Sequence, residues 1–316
     1  MKRLKLIFYG TPEFAVQNLA YLVKDHFEIA AVVTAPDKPA GRGKKIQRSA
    51  VKQYALENQI PVLQPTNLKD PSFIEQIKKM APDGQVVVAF RMLPKSIWSL
   101  SRLGTINLHA SLLPNYRGAA PINWAIKNGE SHSGLTTFLI DDKIDTGAWL
   151  LQEKIALDKN ETAGSLHDRL AKLGGPLLAK TLRQFDQGLL KPKPQHLSGT
   201  EKAAPKLSRE SARINWNDSL NAIERHIRAM SPYPGAWTML VDETGSEQAL
   251  KIFKAQLKAE KHNFPLHNLI VEVQSILITT AEGVLLCEEI QLPGKRKMSA
   301  ADLLNGYKFA QNTTVL

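Results

Sequence analysis

The chain has 316 residues, with 41 Lys and Arg against 30 Asp and Glu, a formal net charge of +11. Hydrophobic residues make up 43% and charged residues 22%, proportions of a globular chain and not of a disordered one. No run of about 18 apolar residues occurs, which excludes a transmembrane helix, and the apolar run in MKRLKLIFYG is too short for a secretion signal. The single cysteine, Cys287, leaves no intramolecular disulfide and no Cys-rich zinc site, so a reducing cytoplasm is the expected location.

In chain order, residues 4–8 read as a strand, residues 14–24 as a helix with apolar contacts at Phe14, Leu19, Leu22 and Val23, and residues 29–33 as the next strand. Residues 38–52 carry Lys38, Arg42, Lys44, Lys45, Arg48 and Lys52 with no acid, which reads either as a contact for a polyanion or as a solvated basic surface. Residues 85–90 (QVVVAF) and 105–109 supply two more apolar strands. Such strands separated by helices predict an α/β, Rossmann-like domain built on a parallel sheet covered on both faces. Two extended stretches follow at 134–141 and 147–155, then a long helical pattern from about residue 162 to 188. Residues 190–206, rich in Pro, Lys and small polar side chains, read as a linker. Residues 217–230 look helical. Short strands at 237–241, 249–258, 269–273, 276–280 and 284–290 then predict a smaller OB-like β-barrel, a fold that binds nucleic acid along a strand face. The expected division is residues 1–189, a linker at 190–206, and 207–316.

The first strand-to-helix turn holds one glycine, Gly10, followed by Thr11 and Pro12. A dinucleotide site needs three glycines so that backbone approaches the pyrophosphate, and hydride transfer is therefore disfavoured. No GxxxxGK[ST], GxSxG or HExxH sequence occurs, and the histidines lack zinc-ligand spacing. The simplest chemistry uses neither a metal nor a covalent enzyme intermediate.

Chemistry concentrates in residues 105–121. A strand turns alternate residues to one face, so Asn107 and His109 point the same way at the carboxyl end of a parallel strand, where open α/β sheets bind ligands. An amide donor beside an imidazole suits acyl transfer: one meets oxyanion charge and the other moves a proton. A structural histidine fits the same spacing. Asp145, in a turn that ends at Gly147, is the candidate carboxylate partner; a plain solvated turn fits as well.

These residues also resemble a known family, the methionyl-tRNA formyltransferases, over essentially the whole chain. The resemblance rests on GTPEFA (residues 10–15), PDKPAGRGKK (36–45), NLHASLLPNYRGAAP (107–121), IDTG (144–147), SPYPGAWT (231–238) and QLPGKRKMSAADLLNGY (291–307). The Asn, His, SLLP and DTG pieces are shared with the wider class of 10-formyltetrahydrofolate-dependent formyltransferases and hydrolases. The resemblance implies a catalytic trio of Asn107, His109 and Asp145, with 10-formyltetrahydrofolate as co-substrate contacted by Ser111, Leu112, Leu113 and Pro114. It further implies initiator methionyl-tRNA as partner, reached by Arg42, Lys44 and Lys45 and held by the second domain. A monomer without a metal is implied too.

One departure stands out. Where the family commonly has a tyrosine-glycine pair and a longer turn after the VVVA strand, this chain has Ala89-Phe90-Arg91-Met92-Leu93-Pro94, one residue shorter, with Arg91 at the usual glycine. Arg91 either serves the site or points to solvent. Two other functions compete: formyl transfer to a small amine or to water, which needs no basic loop, and RNA binding on an inactive scaffold, against which the trio speaks.

Overall fold

The computed structural model describes residues 3–40, 45–258 and 262–316; of Ala40 and Lys45 it describes the backbone alone. Arg42 and Lys44 lie outside the described residues. The chain divides into two compact units, residues 1–121, 132–156 and 167–203 forming the first and residues 122–131, 157–166 and 204–316 the second. Among the described residues no helix is long and apolar enough to cross a membrane.

The first unit is built on seven strands: β1 Lys5–Gly10, β2 Glu28–Val33, β3 Val62–Leu63, β4 Gly84–Val88, β5 Thr105–His109, β6 His132–Leu139 and β7 Trp149–Ala156. Their order is β7-β6-β5-β4-β1-β2-β3. The five strands from β3 to β5 run parallel, as expected, whereas β6 and β7 are antiparallel. A parallel neighbour needs a crossover that returns the chain to its starting edge. The chain leaves β5 at its carboxyl end and, after residues 110–131, returns antiparallel along β6, pairing His109 with Thr136 and Ile106 with Leu139.

Helices α1 Glu13–Lys24, α2 Ala50–Glu57, α3 Pro71–Met80 and α4 Lys95–Trp98 connect the parallel strands. Their starts are written in the sequence. Ser49 caps α2 by accepting from Lys52 N, and Asp70 caps α3 by accepting from Ser72 N, with Pro71 in the first turn. Ile7, Tyr9, Val33 and Val87 bury one sheet face against Phe73 and Ile77 of α3 and Ile97 of α4. Gly10 allows the tight turn out of β1: a Cβ there would lie 2.6 Å from the Ala15 Cβ. On the other face the long helix α6, Ala163–Asp186 (after α5, Pro121–Lys127), comes close through Gly174, whose Cβ would lie 2.6 Å from Leu108 Cδ2 and 2.2 Å from Asn18 Oδ1.

The basic stretch holds a two-stranded hairpin, Lys38–Ala40 with Lys45–Gln47. Its base is anchored. Thr34 and Ser49 share a hydroxyl hydrogen bond of 2.7 Å, and Lys52 Nζ reaches both Asp37 Oδ2 and Gln64 Oε1 at 2.6 Å. Lys52 and Gln64 hold the Asp37 carboxyl below its ordinary pKa.

The second unit is an antiparallel, nearly closed OB-like barrel. Its strands are β8 Ala236–Val241, β9 Glu247–Lys258, β10 Leu269–Glu272, β11 Ser275–Thr280, β12 Gly283–Gln291, β13 Met298–Ser299 and β14 Thr314–Val315. The order is β10-β11-β12-β9-β8-β14, β13 pairs β12, and a bridge from Asn268 to Thr314 draws the ends together. Helix α7, Leu220–Met230, is capped by Ser219 and buries Leu220, Ile223, His226, Ile227, Ala229 and Met230; a short helix α8, Ala300–Leu304, follows β13.

His226 is 6% exposed, and Nε2 lies 3.2 Å from the Ala212 carbonyl. Burial, helped by the nearby Lys127 charge, lowers its pKa from 6.5 to about 4. Between those values the unfolded chain binds the proton and the folded chain does not. Stability is therefore full above about pH 6.5 and falls as pH drops toward 4, by about 3 kcal/mol from this group. In urea melts the stability of His226→Gln should be less acid-sensitive across that window; equal acid sensitivity would contradict the assignment.

Candidate active site

His109 is the last residue of β5 and is 7% exposed. Its Nε2 lies 2.8 Å from the backbone carbonyl of Tyr116 and its Nδ1 lies 3.7 Å from Asp145 Oδ2. A carbonyl oxygen accepts, so Nε2 carries the proton and donates it. Nδ1 is then the nitrogen left for chemistry, and it faces a carboxylate.

Asn107 sits two residues earlier, beside Val87 of β4 and Phe138 of β6. It shares the sheet face of His109, about 6.7 Å away along the strand. Its side chain is half-buried and makes no hydrogen bond to a described residue, which leaves the amide free to donate.

Asp145 reaches His109 by folding back. β6 ends beside the amino half of β5, with Ile140 N donating to Thr105 O. The turn 140–148 therefore has to return along the sheet face toward the carboxyl end. Gly147 makes this possible: a Cβ there would lie 1.7 Å from the Leu139 carbonyl oxygen. Asp145 itself has φ +54, in the left-handed region that Asp tolerates better than most residues. Its Oδ2 accepts from Gly118 N at 2.8 Å. Gln195 Nε2 donates to the main-chain carbonyls of Asp145 and Gly147 at 3.0 and 2.8 Å.

The segment from Ser111 to Pro114 is fastened to the antiparallel edge. Ser111 Oγ donates to the Asn115 carbonyl, and Thr136 Oγ1 donates to the Ser111 carbonyl, both at 2.7 Å. Leu113 N donates to Thr136 Oγ1 and Gln152 Nε2 donates to Leu113 O. Ser111 and Leu113 are buried; Leu112 and Pro114 are half-buried. This fastening carries the chain around to Tyr116, at φ +61, whose carbonyl meets His109.

Arg91 serves neither of the two expected roles simply. Its side chain is exposed, yet its guanidinium donates to the Thr66 carbonyl at 3.1 Å and to the Pro65 carbonyl, and lies 5.7 Å from the Phe90 ring centroid. It ties the loop after β4 to the loop after β3. Both loops, with Asp142 of the Asp145 turn, line a groove of about 680 Å³. Among the described residues no group of three or more His, Cys, Asp or Glu is placed to hold a metal ion.

Sequence reasoning named the imidazole and the two side chains beside it and missed what holds them. The Tyr116 carbonyl and Gly118 N–H are backbone groups, which no side-chain pattern announces. Gln195 lies in the stretch expected as a linker. Residues 190–203 belong to the first unit, and Lys193 pairs with Trp149.

The comparisons with known proteins agree across the chain. The family profile described as formyl transferase matches residues 2–182, and the one described as formyl transferase, C-terminal domain, matches residues 206–308. A methionyl-tRNA formyltransferase of Flavobacterium johnsoniae is 49% identical over 315 residues, covering 100% of both chains. One of Bacteroides fragilis is 42% identical over 312 residues, 98% of this chain and 96% of its own. Among solved structures, HypX from Aquifex aeolicus in complex with tetrahydrofolic acid matches 99% of this chain and 51% of its own, with TM-score 0.66 and 17% identity. This chain thus spans about half the length of HypX. The sugar 3N-formyltransferase WlaRD matches 94% of this chain and 100% of its own, with TM-score 0.62 and 21% identity. At such identities the likeness is one of fold. The chain belongs to the formyl transferase family.

The Asp145 turn gives a direct check. Gly147→Ala forces a methyl group against the Leu139 carbonyl, so the turn has to move, at a cost of about 3 kcal/mol. Urea unfolding measures it, and a loss below about 1 kcal/mol would show that Gly147 is not required by the fold.

Proposed function

As a member of the formyl transferase family, this chain, we propose, transfers the formyl group of 10-formyltetrahydrofolate to the α-amino group of methionine carried on initiator tRNA. The observation that carries the reading is the imidazole of His109, its Nε2 committed to the Tyr116 carbonyl and its Nδ1 turned toward Asp145. The full-length relatives named methionyl-tRNA formyltransferase support the acceptor.

The neutral α-amine attacks the formyl carbon. The new C–N bond forms as the carbonyl π electrons move to oxygen, where the Asn107 amide donates to the oxyanion. His109 Nδ1 takes the proton that the amine loses, and the Asp145 carboxylate faces the resulting imidazolium. The oxyanion's electron pair then re-forms the C=O bond as the C–N10 bond breaks, the electrons of that bond go to the folate nitrogen, and that nitrogen takes up the proton held by His109.

The folate lies along Leu112 and Pro114 and the groove bordered by Arg91 and Asp142, whose volume suits a ligand of that size. Ser111 and Leu113 shape this wall from beneath. Arg42, Lys44 and Lys45 contact phosphates of the acceptor stem, and residues 207–316 hold the tRNA, with the first unit catalytic. The protein works as a monomer in the cytoplasm, where translation starts.

Three outcomes test this. With 10-formyltetrahydrofolate present, charged initiator tRNA should yield N-formylmethionine, while uncharged tRNA, free methionine and charged elongator tRNA should not. Folate consumption with no formylated tRNA would move the acceptor to a small amine or water. His109→Ala should lower turnover by at least about 10²-fold and leave tRNA affinity within about twofold; surviving turnover would remove His109 from the chemistry. Arg42→Ala should raise the KM for tRNA far more than that for folate and reduce the salt slope of tRNA binding by about one; equal loss toward both substrates would contradict a phosphate contact.

A further inference from the structure

Residues 193–202 do something the chemistry above leaves unexplained. Lys193 pairs backbone to backbone with Trp149, both hydrogen bonds at 2.9 Å. Two residues on, Gln195 alone in the run 191–200 is not exposed. Its Nε2 donates to the carbonyls of Asp145 and Gly147, and its Oε1 accepts from Arg117 Nε at 3.1 Å and Nη2 at 2.6 Å. At the far end Lys202 O accepts from Tyr116 N, and Lys202 N donates to Asn115 Oδ1 at 3.1 Å. One short segment thus grips both groups that flank the imidazole: Tyr116, whose carbonyl meets Nε2, and Asp145, whose carboxylate faces Nδ1.

We infer that Gln195 is a positioning residue for formyl transfer, clipping the Asp145 turn so that its carboxylate stands at His109 Nδ1. The inference rests on the function proposed above. Three facts give it weight. Asp145 holds a left-handed backbone conformation, which persists only where its surroundings fix it. The two carbonyls that accept from Gln195 belong to that residue itself and to Gly147, two residues on. Arg117, which fixes the Gln195 oxygen, is the chain neighbour of Gly118, whose N–H holds the Asp145 carboxylate. Main chain and side chain of Asp145 are therefore located by one connected set of bonds, Arg117–Gln195 on one side and Gly118 on the other.

Gln195→Glu keeps the shape and the acceptor for Arg117 but removes both N–H donors. Its kcat should fall about tenfold to a hundredfold, the size of effect expected from a small misplacement of a catalytic group, with both KM values within about twofold. In an Asp145→Asn background the same change should cost nothing further, because both act through one carboxylate. The Gly118 amide, which reports the Asp145 carboxylate without any turnover, should exchange with deuterium roughly tenfold faster. Arg117→Met leaves the Gln195 donors in place and should lose less kcat than Gln195→Glu. Wild-type kcat in folded Gln195→Glu, a rise in tRNA KM alone, unchanged Gly118 exchange, or a larger loss in Arg117→Met would each overturn the inference. If the wild-type chain formylates no tRNA, the proposed function fails, and Gly118 exchange still decides the role of Gln195.

Discussion

The hydrogen bond between His109 Nε2 and the Tyr116 carbonyl is the constraint on which the rest depends. It takes one ring nitrogen out of play and leaves Nδ1 aimed at Asp145. A carbonyl can stand there because the chain leaving β5 is fastened to the antiparallel edge through Thr136 and Gln152 before it turns at Tyr116. The mixed sheet thereby serves the site. A wholly parallel sheet would send the chain away over one face, whereas the return down β6 supplies both the anchor for residues 111–114 and the turn that brings Asp145 back.

Strands β1, β2, β4 and β5 and helices α1, α6 and α7 were legible in the sequence because apolar runs and helical spacing are local signals, whereas β3 and α2 to α5 were not expected. β5 was expected at its observed bounds, and α6 and α7 within a few residues of theirs. The antiparallel direction of β6 and β7 was not legible, since an apolar strand reads alike in either direction. Asn107 and His109 could be placed on one face from spacing alone. Asp145 needed the fold, because its reach depends on Gly147 pressing against the Leu139 carbonyl, and an Asp-Thr-Gly turn looks ordinary without it. Gln195 was invisible for another reason. A Pro- and Lys-rich stretch reads as a linker by composition, and composition does not report that one amide turns inward.

The charge pattern also reads differently in three dimensions. Six cations in residues 38–52 read either as a polyanion contact or as a solvated basic surface, yet Lys52 is engaged by Asp37 and Gln64 at the base of the hairpin. A charge bound at 2.6 Å to a carboxylate positions the loop and is not available to a phosphate. The base of the loop is anchored by Thr34, Ser49 and Asp37.

The most direct test of the account is the position of the proton on neutral His109, read from the 15N chemical shifts of its two ring nitrogens in the intact protein. The account predicts a protonated Nε2, donating to Tyr116, and an unprotonated Nδ1 facing Asp145. A proton found on Nδ1 would mean that Asp145 and not Tyr116 fixes the tautomer, and would contradict Nδ1 as the nitrogen that takes the proton from the amine.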